Sequence, residues 1–147
     1  MKKIERFVIL DRDGVLIDPP KYPSKYILDR QSLKIRESLN KTIIKLQDRI
    51  LFAVATNQQC IGKGLITREA VNELHAIINL SLIRNKGKEI CFYVCPHLES
   101  DLCNCRKPKS GLLEQAMKDF PEFKPSNIYF IGDQDSDSKA AFSAGIE

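Results

Sequence analysis

No apolar run in this chain approaches the roughly 20 residues that a membrane-spanning helix requires. The amino terminus, Met1-Lys2-Lys3-Ile4-Glu5-Arg6-Phe7, begins with charge but lacks the long apolar region and small-residue cleavage site of a secretory signal. With both features missing, we expect a cytoplasmic protein and no membrane partner. Basic residues outnumber acidic ones, for a net charge of +4. They form no continuous stripe and no aromatic-interleaved arm, so nucleic acid is not an expected partner. Repeats, low-complexity tracts and Gly/Ser-rich linkers are also missing, and 147 residues suffice for one domain with one core. What remains is an ordinary globular composition, 43% hydrophobic and 29% charged.

Four short apolar runs read as buried parallel strands: residues 7–10, 50–55, 90–94 and 128–131. They are continuous and rich in β-branched or aromatic residues, as expected when helices cover both faces of a sheet. Helical spacing separates them. Ile35, Leu39, Ile43 and Leu46 recur every three or four residues, and Val71, Leu74, Ile78 and Leu82 do the same behind Thr67, a candidate N-cap. Leu112 to Phe120 form a third helix ending before Pro121, and residues 136–144 a fourth before Gly145. This alternation predicts an α/β fold: a Rossmann-like open parallel sheet with helices on both faces.

Each strand runs into reactive residues. The first meets Asp11, the second Thr56-Asn57, the third Cys95-Pro96-His97 and the fourth Gly132-Asp133. Open α/β sheets bind ligands outside the carboxyl ends of their strands, so these residues should share one crevice.

Asp11 and Asp13 flank Arg12 just past a buried strand. A carboxylate beside a bound Mg²⁺ stays ionised and can attack phosphorus. A second, displaced by the turn that Gly14 permits, can protonate a leaving oxygen and then deprotonate water. The competing reading is an Asx turn that merely closes a loop. Thr56 and Asn57 can donate to phosphate oxygens, and Lys107 supplies a cation. Asp133 can complete an all-oxygen Mg²⁺ site with Asp11 and the Asp13 carbonyl. Asp137, one helical turn beyond, either supports the metal, pairs with Lys107, or is simply a helix-start carboxylate.

Five cysteines are present. Three of them (Cys95, Cys103 and Cys105) crowd one segment with His97. In a reducing compartment this set favours a closed, structural Zn²⁺ site over disulfides. The bland alternative is reduced cysteines beside an incidental histidine. A zinc there would fix the loop that aims Arg106 and Lys107. Cys91 reads as core, Cys60 lies outside the cluster, and His75 reads as surface or core.

In order, Asp11–Val15, Thr56–Gly64, Cys105–Gly111 and Gly132–Asp137 resemble the four motifs of the haloacid-dehalogenase-like phosphohydrolases. The likeness covers almost the whole chain. It is nearest the subgroups of D-glycero-D-manno-heptose 1,7-bisphosphate phosphatases and histidinol-phosphate phosphatases, which resemble it in the zinc loop too. The resemblance implies Asp11 as nucleophile and Asp13 as general acid/base. It implies Thr56 and Lys107 as phosphoryl stabilisers, Asp133 as a Mg²⁺ ligand, and Arg106 as a substrate contact. Residues 15–55 and 58–105 leave no room for an inserted lid, so residues 1–147 are expected to form a single capless domain with a zinc loop at 95–105. Substrate selection then falls to residues 17–26, to the segment after Asn57 beginning with Gln58 and Gln59, and to the zinc loop. Gln134 stands where both subgroups carry a basic residue, and is expected to contact substrate.

The five-residue spacer in the zinc loop resembles the histidinol-phosphate group, whereas Ile61-Gly62-Lys63-Gly64 resembles the heptose group. The expected substrate is a small phosphorylated metabolite, a heptose 1,7-bisphosphate first and histidinol phosphate second. A heptose substrate would place the enzyme in surface-polysaccharide precursor synthesis. A phosphatase for nucleic-acid 3′ ends would need a basic tract that is missing, and a non-catalytic zinc-stabilised binding module would not need the acidic set. The chain stops at Ala144-Gly145-Ile146-Glu147, where relatives usually continue into a last strand, so either the protein lacks that edge strand or the chain is a shortened form. A monomer is expected, with pairing of the exposed edge to a second copy allowed.

Overall fold

In a computed structural model that describes residues 3–147, the four apolar runs form one parallel sheet. Its strands are β1 (Arg6–Leu10), β2 (Ile50–Asn57), β3 (Cys91–Cys95) and β4 (Ile128–Ile131), in the order β3-β2-β1-β4. In the central register Val8 lies opposite Phe52 on one side and Tyr129 on the other. Two bounds differ usefully from the sequence reading. β2 continues through Thr56 and Asn57, and β3 ends on Cys95. The ladder between those two strands therefore holds these residues, with Asn57 opposite Cys95.

The helices are α1 (Glu37–Leu46), α2 (Gln59–Gly62), α3 (Arg68–Arg84), α4 (Gly111–Asp119) and α5 (Asp135–Ala144). Only α2 was not foreseen; one turn of helix has no periodicity to read. The sheet alternates sides as period-two geometry requires. Val8, Leu10, Phe52 and Val54 pack with Ile43 of α1 and Leu74, Ile78 and Leu82 of α3. Phe7, Ile9, Ala53 and Ala55 pack with Leu112, Leu113 and Ala116 of α4 and Ala140 and Ala141 of α5. The small Ala53 and Ala55 leave room for α4 to lie close against β2.

This order puts the reversal of strand order between β1 and β4. Such a switch point opens a crevice at the strands' carboxyl ends, where Asp11 and Asp133 follow β1 and β4. Between β1 and α1 the chain runs as an irregular strap, tied back by isolated bridges of Ile17 with Asp13 and with Ile35. Among the described residues no separate lid is inserted, no fifth strand follows α5, and no helix is long and apolar enough to cross a membrane. The chain end lies along the outer side of β4, where Phe130 N donates to the Glu147 main-chain oxygen.

Thr67 caps α3 as its sequence context suggests, its side chain accepting from Ala70 N at 3.1 Å. Thr67→Ala should therefore cost about 1 kcal/mol in urea-unfolding stability. An unchanged unfolding midpoint would show that the bond contributes nothing net.

Candidate active site and zinc-ligand cluster

The carboxyl ends of β1, β2 and β4 surround a crevice of about 250 Å³ lined by Asp11, Asp13, Thr56, Asn57, Lys107, Asp133, Gln134 and Asp137, with Pro19 and Pro20 at its rim. A larger cavity, about 850 Å³, lies at the opposite end of the strands, between Ile4, Leu51, Phe120 and Phe123. No nucleophile or ligand cluster converges there, so size does not identify the site.

At the crevice floor the Lys107 ammonium is only 4% exposed. It donates to Asp11 Oδ1 at 2.9 Å and to the Ala55 carbonyl at 3.0 Å. It also lies 2.7 Å from Asp137 Oδ1, an ion pair whose angles fall short of a directed hydrogen bond. Asn57 holds the lysine's backbone from both sides, donating from Nδ2 to its carbonyl and accepting its N–H at Oδ1, each at 3.0 Å. Asn57 thus lines the crevice while its amide is engaged with Lys107.

Asp11 Oδ1 also accepts Arg12 N at 2.8 Å. No donor among the described residues reaches its other oxygen. Burial pushes the Asp11 carboxyl up from 3.8 to about 6, partly countered by Lys107 and reinforced by the negative charge of Asp137. Asp11, Asp133 and Asp137 each bring a carboxylate oxygen to within 4.8 Å of the others. Three carboxylates against one ammonium leave two negative charges, which suits a dication. Asp133 accepts no protein hydrogen bond, and no backbone N–H donates to the Asp13 carbonyl, again among the described residues. These hard oxygen donors fit Mg²⁺. Two glycines make the approach possible. Gly14, at φ +82°, lies so close to the Asp133 carboxylate that a Cβ would collide with it, and a Cβ on Gly132 would collide with Asp137. Asp137 also accepts Gln134 N at 3.1 Å, so it caps α5 and pairs with Lys107 at once.

Thr56 is buried, and its Oγ1 accepts Gln58 Nε2 at 2.8 Å, which leaves the hydroxyl proton free to donate into the crevice. Gln58, expected to touch substrate, lies behind Asp13 instead. It is 3% exposed and bonded to Asp13, Thr56 and Arg12. Gln59 points to the strap, donating to the Tyr26 hydroxyl at 3.0 Å, which also accepts Lys63 Nζ at 2.8 Å. Neither glutamine lines the crevice. Arg106 does not line it either, although its Nη1 is buried without a partner. Sequence reasoning passed over Arg12, whose side chain is 1% exposed and pairs with Asp13. A fully buried arginine is rare unless paired, and the only sequence signal was its place between two aspartates.

Beside the crevice, Cys95, His97, Cys103 and Cys105 come together. Their separations are 3.6 Å (Cys95 Sγ to His97 Nδ1), 3.7 Å (Cys95 to Cys103), 3.6 Å (Cys103 to Cys105) and 3.2 Å (His97 Nδ1 to Cys105 Sγ). Ligands about 2.3 Å from a tetrahedral zinc would put sulfur atoms about 3.8 Å apart, so the donors fit that ion. Burial alone would raise the Cys103 thiol, but the N–H groups of Arg106 and Cys105 aim at its sulfur and hold it down to about 6. Burial pushes Cys95 up to about 12, the penalty a cation would relieve. The loop joins the crevice through Lys107 and joins α2 through Gly62 N, which donates to the Pro96 carbonyl at 2.9 Å.

Comparison with known proteins places this geometry among related chains. A family model described as HAD-hydrolase-like matches residues 104–147. The histidine biosynthesis bifunctional protein HisB of Actinobacillus pleuropneumoniae is 33% identical over 142 residues, covering 95% of this chain and 38% of that protein. The D-glycero-beta-D-manno-heptose-1,7-bisphosphate 7-phosphatase of Neisseria meningitidis is 33% identical over 141 residues, covering 95% of this chain and 73% of that protein. The chain therefore spans about two fifths of the length of the bifunctional relatives it matches. A solved D,D-heptose 1,7-bisphosphate phosphatase from B. bronchiseptica, complexed with magnesium and phosphate, superposes with a TM-score of 0.86 at 26% identity. That match covers 96% of this chain and 77% of the other.

Two metal tests follow from the geometry. The raised Asp11 pKa means that its protonated form suits the metal-free fold. Its contribution to stability is full below the unfolded value of 3.8 and is lost as pH rises through about 6. A dication needs the ionised form and relieves that loss. Mg²⁺ should therefore raise the melting temperature more at about pH 7.5 than at about pH 5. An equal shift at both would contradict the site. Stripping zinc, or Cys105→Ser, should lower both the melting temperature and turnover, because the same loop carries Lys107. Retention of both would remove the zinc from any structural account.

Proposed function

Because the chain belongs to the haloacid-dehalogenase-like phosphohydrolases, we propose that it hydrolyses the phosphate monoester of a small metabolite through an aspartyl-phosphate on Asp11. The observation that carries this reading is the buried Asp11–Lys107 pair at 2.9 Å with Asp133 and Asp137 alongside. It supplies a nucleophile, a cation and a dication site at one strand end.

In this reaction the free oxygen of Asp11 attacks phosphorus. As the bond from phosphorus to the leaving oxygen breaks, Asp13 gives that oxygen its proton. Asp13, now a carboxylate, takes a proton from water, whose oxygen attacks the phosphorus and releases phosphate from Asp11. Lys107 and the Thr56 hydroxyl stabilise charge on the phosphoryl oxygens. Asp11, Asp133 and the Asp13 carbonyl would hold Mg²⁺, with Asp137 beside them. Its contribution when bound is to neutralise charge on the phosphoryl group. Zn²⁺ held by Cys95, His97, Cys103 and Cys105 would fix the loop and take no part in the chemistry.

For the substrate we favour a heptose 1,7-bisphosphate, supported by the phosphatase relatives that this chain spans most fully. Histidinol phosphate is the second reading, favoured by the matches to histidine-biosynthesis proteins. With no lid among the described residues, selection would fall to the Pro19-Pro20 strap, Gln134 and the zinc loop.

Phosphate release from both compounds in the presence of Mg²⁺ tests the reading, with faster hydrolysis of the heptose bisphosphate expected. Asp11→Asn should lower turnover by about 10³-fold or more while leaving the fold intact. No release from any phosphate ester, or an Asn variant as active as the parent, would overturn the proposal.

A further inference from the structure

Arg12 is buried for a reason that the reaction above does not use. Its guanidinium forms a fork on Asp13, with Nη2 3.1 Å from Oδ1 and Nε 3.2 Å from Oδ2. Nη2 also donates to Gln58 Oε1 at 3.0 Å. Nη1 points the other way, to His75 Nε2 at 3.2 Å. A guanidinium cannot accept a hydrogen bond, so Nε2 must be the acceptor and the imidazole proton sits on Nδ1. The ring stacks on Phe92 with centroids 4.1 Å apart and planes 13° apart. Burial and the Arg12 charge hold its pKa down to about 3, so it stays neutral. His75 belongs to α3 and lines a groove with Asn72, Asn79 and Phe92 that shares no lining residue with the crevice.

Gln58 accepts from Arg12, then donates from Nε2 to Asp13 Oδ2 at 3.0 Å and to Thr56 Oγ1 at 2.8 Å. The Asp13 carboxylate is thus gripped from two sides. The grip holds only if the guanidinium stays in one orientation, and His75 supplies the acceptor that fixes its third nitrogen. Proton transfer depends on a carboxyl placed within a fraction of an ångström.

We propose that His75 is a positioning residue for the proposed phosphatase: by accepting from Arg12 Nη1 it orients the fork that aims Asp13 at the leaving oxygen. The proposal rests on the functional reading above, and its test separates the two. Departure of an alkoxide needs the Asp13 proton, whereas p-nitrophenolate leaves without one. Comparing kcat/KM for a primary alkyl phosphate and for p-nitrophenyl phosphate therefore isolates proton delivery, since kcat/KM reports steps up to departure of the leaving group. His75→Phe keeps the ring, its stacking on Phe92 and the volume, but removes the acceptor. His75→Gln restores an acceptor near the position of Nε2.

The expected result for H75F is a loss of about 10-fold to 100-fold in kcat/KM on the alkyl ester, through kcat with KM little changed. The loss on p-nitrophenyl phosphate should stay within about threefold, and H75Q should recover most of the activity on the alkyl ester. Equal losses on both esters, or full alkyl activity in H75F, would overturn the proposal. Should H75F fail to fold, the Gln and Asn variants carry the same comparison, because Asn is one methylene too short to reach Arg12. An inactive parent on both esters sinks the functional reading itself, while an active parent with an unselective H75F sinks only the role of His75.

Discussion

A lysine ammonium held out of water between two carboxylates is the interaction on which the rest of this site depends. Removing a buried charge from solvent costs several kcal/mol, and the cost is offset only when every donor finds a partner. Lys107 meets Asp11, Asp137 and the Ala55 carbonyl, and its backbone is held by Asn57. Those partners come from the ends of β1, β2 and the start of α5. Withdrawing the lysine would strand two buried carboxylates, a change of about 3–5 kcal/mol in comparable cases. The lysine is therefore as much a fastening between strand ends as a group for chemistry.

The sheet's topology makes that fastening possible. With β1 at the centre and β4 crossing to its other side, Asp11 and Asp133 reach the same gap from adjacent strands. Neither Asp133 nor Asp137 could take its place without a glycine beside it. Gly14 turns the chain in the left-handed region beside Asp133, and Gly132 leaves the space that Asp137 fills. An alanine at either position would push a carboxylate out of the cluster. The surplus of negative charge then has a structural explanation: the backbone removes the steric barrier, and among the described residues the counter-charge on the floor is one ammonium.

Much of this was legible in the sequence, and the reason is periodicity. Strands covered on both faces show as unbroken apolar runs, so all four were visible, and Thr67 announced α3. The reactive residues stood out because each followed such a run. What could not be read were contacts set by burial and distance along the chain. Arg12 meets Gln58 across 46 positions and His75 across 63. Nothing local distinguishes Gln58, which faces inward, from Gln59, which faces the strap. His75 lies among the helical residues of α3, a pattern that leaves it as surface or core; that it is buried, and what it bonds, came only from the structure.

The crevice is supported from outside by two frameworks, joined where Gln58 N donates to the Cys95 carbonyl at 2.8 Å, which bears on how an open site keeps its geometry. On one side Cys95, His97, Cys103 and Cys105 gather the loop that delivers Lys107. On the other, the Arg12, Gln58 and His75 network grips Asp13. A lid would exclude water and complete the arrangement on closing. With none among the described residues, alignment has to exist before substrate arrives. In the proposed reaction the cation and the acid/base residue are the two groups whose placement decides the rate, and each is held by its own framework. In the proposed reaction rigidity behind the site would do the work that closure does elsewhere, and the Pro19-Pro20 strap would select the leaving group.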